Sequence, residues 1–160
     1  MIDLDITELF EEIVKELPEG LEILYPNGKG GTKVMKSPRL NYIFGSSQYI
    51  KDILDEYSKS SAQSERKFPL VALFTPISED RGDADYFSKA KVSLIIACSS
   101  CKEWSNEMRR TTSFKNILRP IYKRLLEVLY EDSRFDCDYD EKVKTIHMAD
   151  AEPIQIPVRL

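Results

Sequence analysis

The amino-acid sequence predicts an α+β fold: a single mixed or antiparallel sheet with helices packed on one face. Two observations support this class. Helix-like and strand-like segments alternate along the 160 residues, and two strand-like segments are apolar throughout, as strands buried on both faces are. A chain of this length forms one hydrophobic core. We therefore expect a single domain over residues 1–160, with an extended C-terminal arm over 133–160.

The first half of the chain is predicted to form a helix, a hairpin and a second helix. Apolar residues recur every three or four positions over Ile2–Leu17, and Pro18 ends that helix. Two strands then flank a Gly-rich turn at Asn27–Gly31. The next helix has Ser46 or Ser47 as its N-cap. Its apolar face consists of Tyr49, Ile50, Ile53, Leu54 and Tyr57.

The second half is predicted to supply two central strands, a long helix and an edge strand. Phe68–Pro76 and Lys91–Ser99 are mostly apolar runs of strand length. Apolar residues follow a helical period over Trp104–Tyr130. Pro120 lacks an N–H and would kink this helix or begin a new one. The last seven residues alternate apolar and other side chains, and Pro157 restricts this strand to a sheet edge.

Composition and charge exclude several classes of function. The formal net charge is -4, and 27 acidic and 23 basic side chains are spread along the chain, so no basic stripe faces a phosphate backbone. We expect no sequence-specific nucleic-acid partner. The acidic start lacks the features of a signal peptide, and no apolar run approaches the ~20 residues that span a bilayer, so no membrane partner is expected. Three cysteines without an export signal indicate a reducing compartment and free thiols.

Cys98 and Cys101 form a C-x-x-C pair at the end of the second central strand. A redox dithiol of the thioredoxin type needs a βαβ unit ahead of the pair, and the sequence does not predict one. A zinc site would add Cys137 and His147, which have nine residues between them where compact sites use two to five. The spacings favour a third interpretation, in which Cys98 is a small apolar core residue.

The remaining motifs predict no enzyme, cofactor or metal site. The chain has one histidine and no G-x-S-x-G, so a serine triad has no support. The acids Glu79, Asp80, Asp83 and Asp85 lack the spacing of an EF-hand and fit a solvated loop. The segment Gly28–Lys33 lacks the phosphate-loop spacing and is not followed by a helix, which favours a hairpin tip.

Three stretches carry a resemblance to a known family. They are the aromatic-Phe-Gly turn and helix of YIFGSSQYIKDIL (Tyr42–Leu54), the strand of RKFPLVALFTPISEDRG (Arg66–Gly82), and the strand, polar elbow and helix that include FKNILRPIY (Lys91–Leu129). Together with the length and the order of elements, they resemble small structural proteins of tailed phages and prophages. Within that class the chain is most similar to tail-completion or tail-terminator proteins, which lie between the head and the tail tube.

The resemblance implies a virion protein, made in the host cytoplasm, that acts through its surfaces. Such proteins generally form rings, commonly hexameric, so it implies a homo-oligomer, other phage neck or tail proteins as partners, and passage of DNA through the ring. The long polar loops Ser58–Lys67 and Ile77–Lys89 suit contacts with neighbouring subunits. Apolar and aromatic residues outside the predicted core stripes are the candidate interface anchors: Ile77, Tyr86, Phe87 and Trp104.

Two alternatives to a virion protein stay open from the sequence. One is a cytosolic thiol-redox or zinc-binding protein that uses Cys98 and Cys101. The other is a small adaptor or inhibitor domain. Measuring the mass of the purified protein distinguishes them, because it reports the oligomeric state and bound zinc together.

Overall fold

A computed structural model describes residues 5–26, 31–80, 89–99, 103–134 and 154–159. Both helices and sheets are present, which confirms the α+β class. The helices are α1 (Ile6–Glu16), α2 (Ser47–Tyr57), α3 (Ser61–Ser64), α4 (Asn106–Met108), a π-helix (Arg109–Leu118) and α5 (Arg119–Glu131). The strands are β1 (Glu22–Pro26), β2 (Thr32–Lys36), β3 (Asn41–Gly45), β4 (Leu70–Phe74), β5 (Ser78–Asp80), β6 (Lys89–Ala97) and β7 (Ile154–Arg159).

The main sheet is mixed. β3 runs parallel to β4, whereas β4, β5 and β7 all run antiparallel to β6. The registers place β4 and β5 on one side of β6 and β7 on the other, because β7 pairs with the same residues of β6 that β5 uses. The order across the sheet is therefore β3, then β4 with β5, then β6, then β7. The two predicted central strands are neighbours, and the C-terminal strand lies at an edge, as the sequence predicted.

The hairpin forms a second sheet, which the prediction of a single sheet did not include. β1 and β2 pair with each other, from Glu22 opposite Lys36 to Pro26 opposite Thr32. Every residue of β2 is exposed, whereas Ile23 of β1 is 1% exposed and belongs to the core. The hairpin is thus anchored through β1, which packs against the π-helix, and β2 is left at the surface.

Helices cover both faces of the main sheet, which corrects the prediction of one covered face. The larger core joins α1, the π-helix and α5 to Val71 and Leu73 of β4. The smaller core joins Ile50 of α2 to Leu70 and Ala72 of β4. Successive strand residues point to opposite faces, and all four of these β4 residues are apolar. Both faces of the strand therefore have to be covered.

Local sequence determines where α1 and α2 begin. Asp5 and Glu8 form a capping box at α1, in which each side chain accepts a hydrogen bond from the other's backbone N–H. Ser46 is the N-cap of α2, one of the two serines predicted, and its hydroxyl accepts from the Tyr49 N–H at 3.2 Å. Gly45 before it has a φ of 147°, which favours glycine. A Cβ there would lie 2.6 Å from the Tyr49 ring, so the Phe-Gly-Ser turn is sterically specific.

The long helical stretch changes type at Pro120. The π-helix ends at Leu118, and α5 begins at Arg119 with Pro120 in its first turn, which matches the second of the two predicted outcomes, a kink or a new helix. In a continuous α-helix a proline ring clashes with the carbonyl four residues before it. The π-helix includes Asn116, the residue whose carbonyl would meet the ring of Pro120 in a continuous α-helix. No helix in the described ranges is both long and apolar enough to cross a membrane.

Three predicted irregular segments contain regular structure. The loop Ser58–Lys67 includes α3. The loop Ile77–Lys89 begins with β5 and ends in the first residue of β6, and residues 81–88 between them lie outside the described ranges. Within the predicted arm 133–160, residues 154–159 form β7 on the chain's own sheet, while 135–153 lie outside the described part.

Candidate interaction surfaces

Cys98 lies directly after β6, at the first position of the C-x-x-C pair. Its side chain is half-buried and packs against the larger core, in agreement with its predicted role as a small apolar residue. Burial raises the pKa of the Cys98 thiol, and a smaller opposing effect comes from the nearby Ser113 on the π-helix. Because the thiolate is the nucleophilic form, this raised pKa makes Cys98 a weak nucleophile at neutral pH.

The other predicted metal and redox residues lie outside the described ranges. These are Cys101, Cys137 and His147. The acids Asp83 and Asp85 lie there too, while Asp80 forms the end of β5. Among the residues that the structure does describe, no three His, Cys, Asp or Glu side chains are grouped so that they could hold a metal ion.

The predicted interface anchors do not form one described surface. Ile77 is half-buried and packs against the larger core, because the chain continues along β6 from β4 into β5 and carries Ile77 over the sheet. Ile77 is thus only partly exposed, as Trp104 is. Trp104, in the segment that connects β6 to α4, is half-buried, and Tyr86 and Phe87 lie outside the described ranges. For all four residues the interface stays a prediction.

Other large apolar side chains are exposed where the sequence did not place them. Val34 and Met35 are adjacent in β2 and are 51% and 40% exposed. Phe44 of β3 is 45% exposed, and its ring centroid lies 6.1 Å from that of Tyr42. The sequence TKVMK predicted a strand. It did not reveal that both faces of this strand are exposed, because that exposure arises from the attachment of the hairpin to the core through β1 alone.

In the described part of the chain, β2 and β3 each have one unpaired edge. β2 pairs with β1 alone and β3 with β4 alone. On β3 the backbone groups of Asn41 and Gly45 bond to the residues that flank β4, at 2.8 and 2.9 Å. Because alternate residues of a parallel strand face the partner, the N–H and C=O of Tyr42 and Phe44 point outward. An open edge of this kind can pair with a strand of another chain.

A cavity of about 370 Å³ lies where the C-terminal ends of α1 and α5 meet. Beside it, Arg134 donates to the carboxylate of Glu12 at 2.6 Å and to that of Asp132 at 2.7 Å. These bonds hold the pKa of Asp132 below its usual range and raise that of Arg134. We call this cavity with its surrounding carboxylates the acidic cavity. Its lining residues are Glu16, Val128, Glu131, Asp132 and Ser133.

A row of exposed cations precedes the acidic cavity along the same helical stretch. Lys115, Arg119 and Lys123 follow at four-residue intervals, and we call them the basic row. The adjacent Arg110 and Arg124 pair with glutamates at 2.8 and 3.4 Å, but within the described residues no such ion pair involves the basic row. Like charges at this spacing on a helix repel one another. An anionic partner would relieve that repulsion.

No family model matches this chain, and no match is found among curated proteins or solved structures. The arrangement therefore has to be interpreted from its own residues. An exposed hairpin, the open edges of β2 and β3, an acidic cavity and a basic row are features suited to contacts between macromolecules.

Proposed function

We propose that this chain is a structural protein of a tailed-phage virion, of the head–tail connector or tail-completion (terminator) type, and that it assembles as a ring subunit through protein–protein contacts. One observation carries the proposal. Strand β2 exposes all five side chains, including Val34 and Met35, and its outer edge is unpaired in the described part of the chain. Lys33 and Lys36 are the kind of charged side chains that blunt an edge against strand pairing, so we expect the contact to use the exposed apolar side chains of Val34 and Met35.

A second open edge supports assembly in a closed ring. β3 carries the exposed Phe44 and belongs to the main sheet, whereas β2 belongs to the hairpin. A head-to-tail ring requires two different surfaces on each subunit, because one surface of a subunit contacts the other surface of the next subunit. We expect a hexamer whose remaining surfaces bind other neck or tail proteins, with DNA passing through the ring.

The state of Cys98 supports a structural role over the thiol alternative. A redox or zinc-binding cysteine acts as the thiolate and sits in surroundings that lower its pKa. Cys98 is half-buried against the core, and burial raises the pKa of its thiol. This environment suits packing better than thiol chemistry.

The test is deletion of the coding region from the phage or prophage genome that carries it. We expect DNA-filled heads and tails to accumulate separately, and a plasmid-borne copy to restore infectious particles. A normal yield of infectious particles without the protein would overturn the proposal.

The same complementation assay can test strand β2. A copy with Val34→Asp and Met35→Asp should fold, because both side chains are exposed, but should fail to restore infectivity. Lys51→Asp, at an exposed position of α2, is the matched control and should restore it. Equal restoration by both copies would remove β2 from the assembly contact.

A further inference from the structure

We propose that the acidic cavity of one copy of this chain receives the basic row of a second copy. The inference rests on the proposed function, in that a ring subunit must contact other copies, and it adds a charged pair of surfaces to the contact made by β2 and β3. It is carried by charge complementarity, by the position of the two surfaces on one helical stretch, and by the net charge of the chain.

The charges of the two surfaces balance in number. The carboxylates of Glu16, Glu131 and Asp132 line the acidic cavity, and that of Glu12 lies beside it, bound to Arg134, which also pairs with Asp132. Four negative charges less one positive charge leave three unbalanced negative charges. The basic row supplies three exposed cations that pair with no carboxylate of the described residues.

The two surfaces cannot neutralise each other within one copy. The nearest members of the two surfaces on α5, Lys123 and Glu131, are eight residues apart, and the rise of an α-helix separates them by about 12 Å, beyond the reach of an ion pair. Between two copies the contact is possible, because each copy presents one cationic and one anionic surface. In the head-to-tail ring proposed above, each copy would use its basic row for one neighbour and its acidic cavity for the other.

Nucleic acid is the competing occupant of the basic row. Side chains at four-residue intervals are spaced by about 6 Å along a helix, which suits a phosphate backbone. The net charge of -4 and the acidic cavity on the same helix oppose the approach of a polyanion. The same acidic cavity attracts cations, so the observations favour a second copy.

The experiment measures self-association of the purified full chain by sedimentation velocity, over a range of concentrations at low and at high salt. Two variants reverse one surface each: Arg119→Glu with Lys123→Glu, and Glu16→Lys with Glu131→Lys. All four side chains are exposed, and circular dichroism checks that both variants fold. Lys51→Glu with Arg66→Glu, which changes two exposed cations away from both surfaces, is the charge-matched control.

We expect the parent and the control to associate more tightly at low salt than at high salt, because ion pairs at a surface are screened. Each reversed variant alone should associate at least about tenfold more weakly than the parent, and an equimolar mixture of the two should regain association. Failure of the mixture to associate, or a parent that stays monomeric throughout, overturns the inference.

Two further outcomes distinguish a nucleic-acid partner from a second copy, and failure of this contact from failure of the proposed function. If the parent binds duplex DNA, the Arg119→Glu/Lys123→Glu variant loses that binding, and no self-association occurs, then the partner is nucleic acid and the inference is wrong. If the mixture fails while deletion of the protein still blocks joining of heads and tails, the contact is wrong but the proposed function stands.

Discussion

The phenol of Tyr42 on β3 donates a hydrogen bond of 2.8 Å to the backbone carbonyl of Thr7 in the first turn of α1. The bond ties the open-edged strand of the main sheet to the first helix, across 35 positions of sequence. Burial, and to a lesser extent the nearby charges of Glu11 and Asp5, raise the pKa of Tyr42, so the phenol keeps its proton and remains a donor.

Tyr42→Phe should lower the free energy of unfolding by about 0.5–1.5 kcal/mol, because it removes this hydrogen bond and keeps the ring. Urea denaturation measures the change. Tyr49→Phe is the control, since Tyr49 is 53% exposed and its loss of a hydroxyl should change stability by less than about 0.5 kcal/mol. Equal effects of the two substitutions would show that the bond to Thr7 contributes nothing.

Two leucines of the long helical stretch should differ in their contribution to stability. Leu125 is 0% exposed in the larger core, so Leu125→Ala should lower the free energy of unfolding by about 2–5 kcal/mol. Leu118 is half-buried, and Leu118→Ala should lower it by less. A loss below about 0.5 kcal/mol at Leu125 would contradict the placement of α5 on the sheet.

The stability of the fold should fall at alkaline pH. Burial raises the pKa of Tyr25 to about 12 from the ordinary value of 10.0, with a smaller contribution from Cys98, and burial also raises the pKa of Tyr122. The folded state therefore holds these protons more tightly than the unfolded state does. The associated stability is fully present below about pH 10 and is lost as the pH rises through the folded pKa values.

Tyr25→Phe removes one of these groups, so its free energy of unfolding should decline less steeply than that of the parent between about pH 10 and 12. Denaturation curves at a series of pH values give both slopes. Parallel curves for the parent and the variant would mean that Tyr25 titrates alike in the folded and unfolded states.

Cys98→Ser with Cys101→Ser should leave folding and assembly nearly unchanged, with a loss of about 1 kcal/mol or less, because Cys98 contributes a half-buried side chain and a thiol with a raised pKa. Thermal unfolding and native mass measurement follow both properties. Loss of bound zinc, or of a disulfide-reducing activity that the parent shows, would instead establish the thiol alternative.

The features predicted correctly from the sequence are those that short-range patterns determine. The apolar runs around Leu70–Leu73 and Val92–Ala97 identified neighbouring central strands, and Pro157 identified an edge strand. Every position of the run Leu70–Leu73 is apolar, and the prediction of one covered face did not take this into account. A strand that is apolar on both faces needs cover on both, and α2 supplies the second.

Other features could not be predicted because the pattern is ambiguous or the residues are remote. Buried positions follow at intervals of four from Ser113 through Ile117 and Ile121, a spacing that fits an α-helix and the wider π-helix alike. The acidic cavity combines Glu16 with Glu131, which are far apart in sequence and carry no shared motif. Such a surface exists only once α1 and α5 pack together.

The strand β7 pairs with β6 across a far longer stretch of chain than β4 does. Closing a longer loop costs more conformational entropy, by about 0.6 kcal/mol for each doubling of its length. The β4–β6 pair should therefore form early in folding, and β7 should add last to an edge that already exists. Before β7 adds, the unpaired edge of β6 can bind β7 of another molecule as well as its own. Refolding at high concentration should then yield strand-exchanged oligomers, and dilution should favour the chain that completes its own sheet.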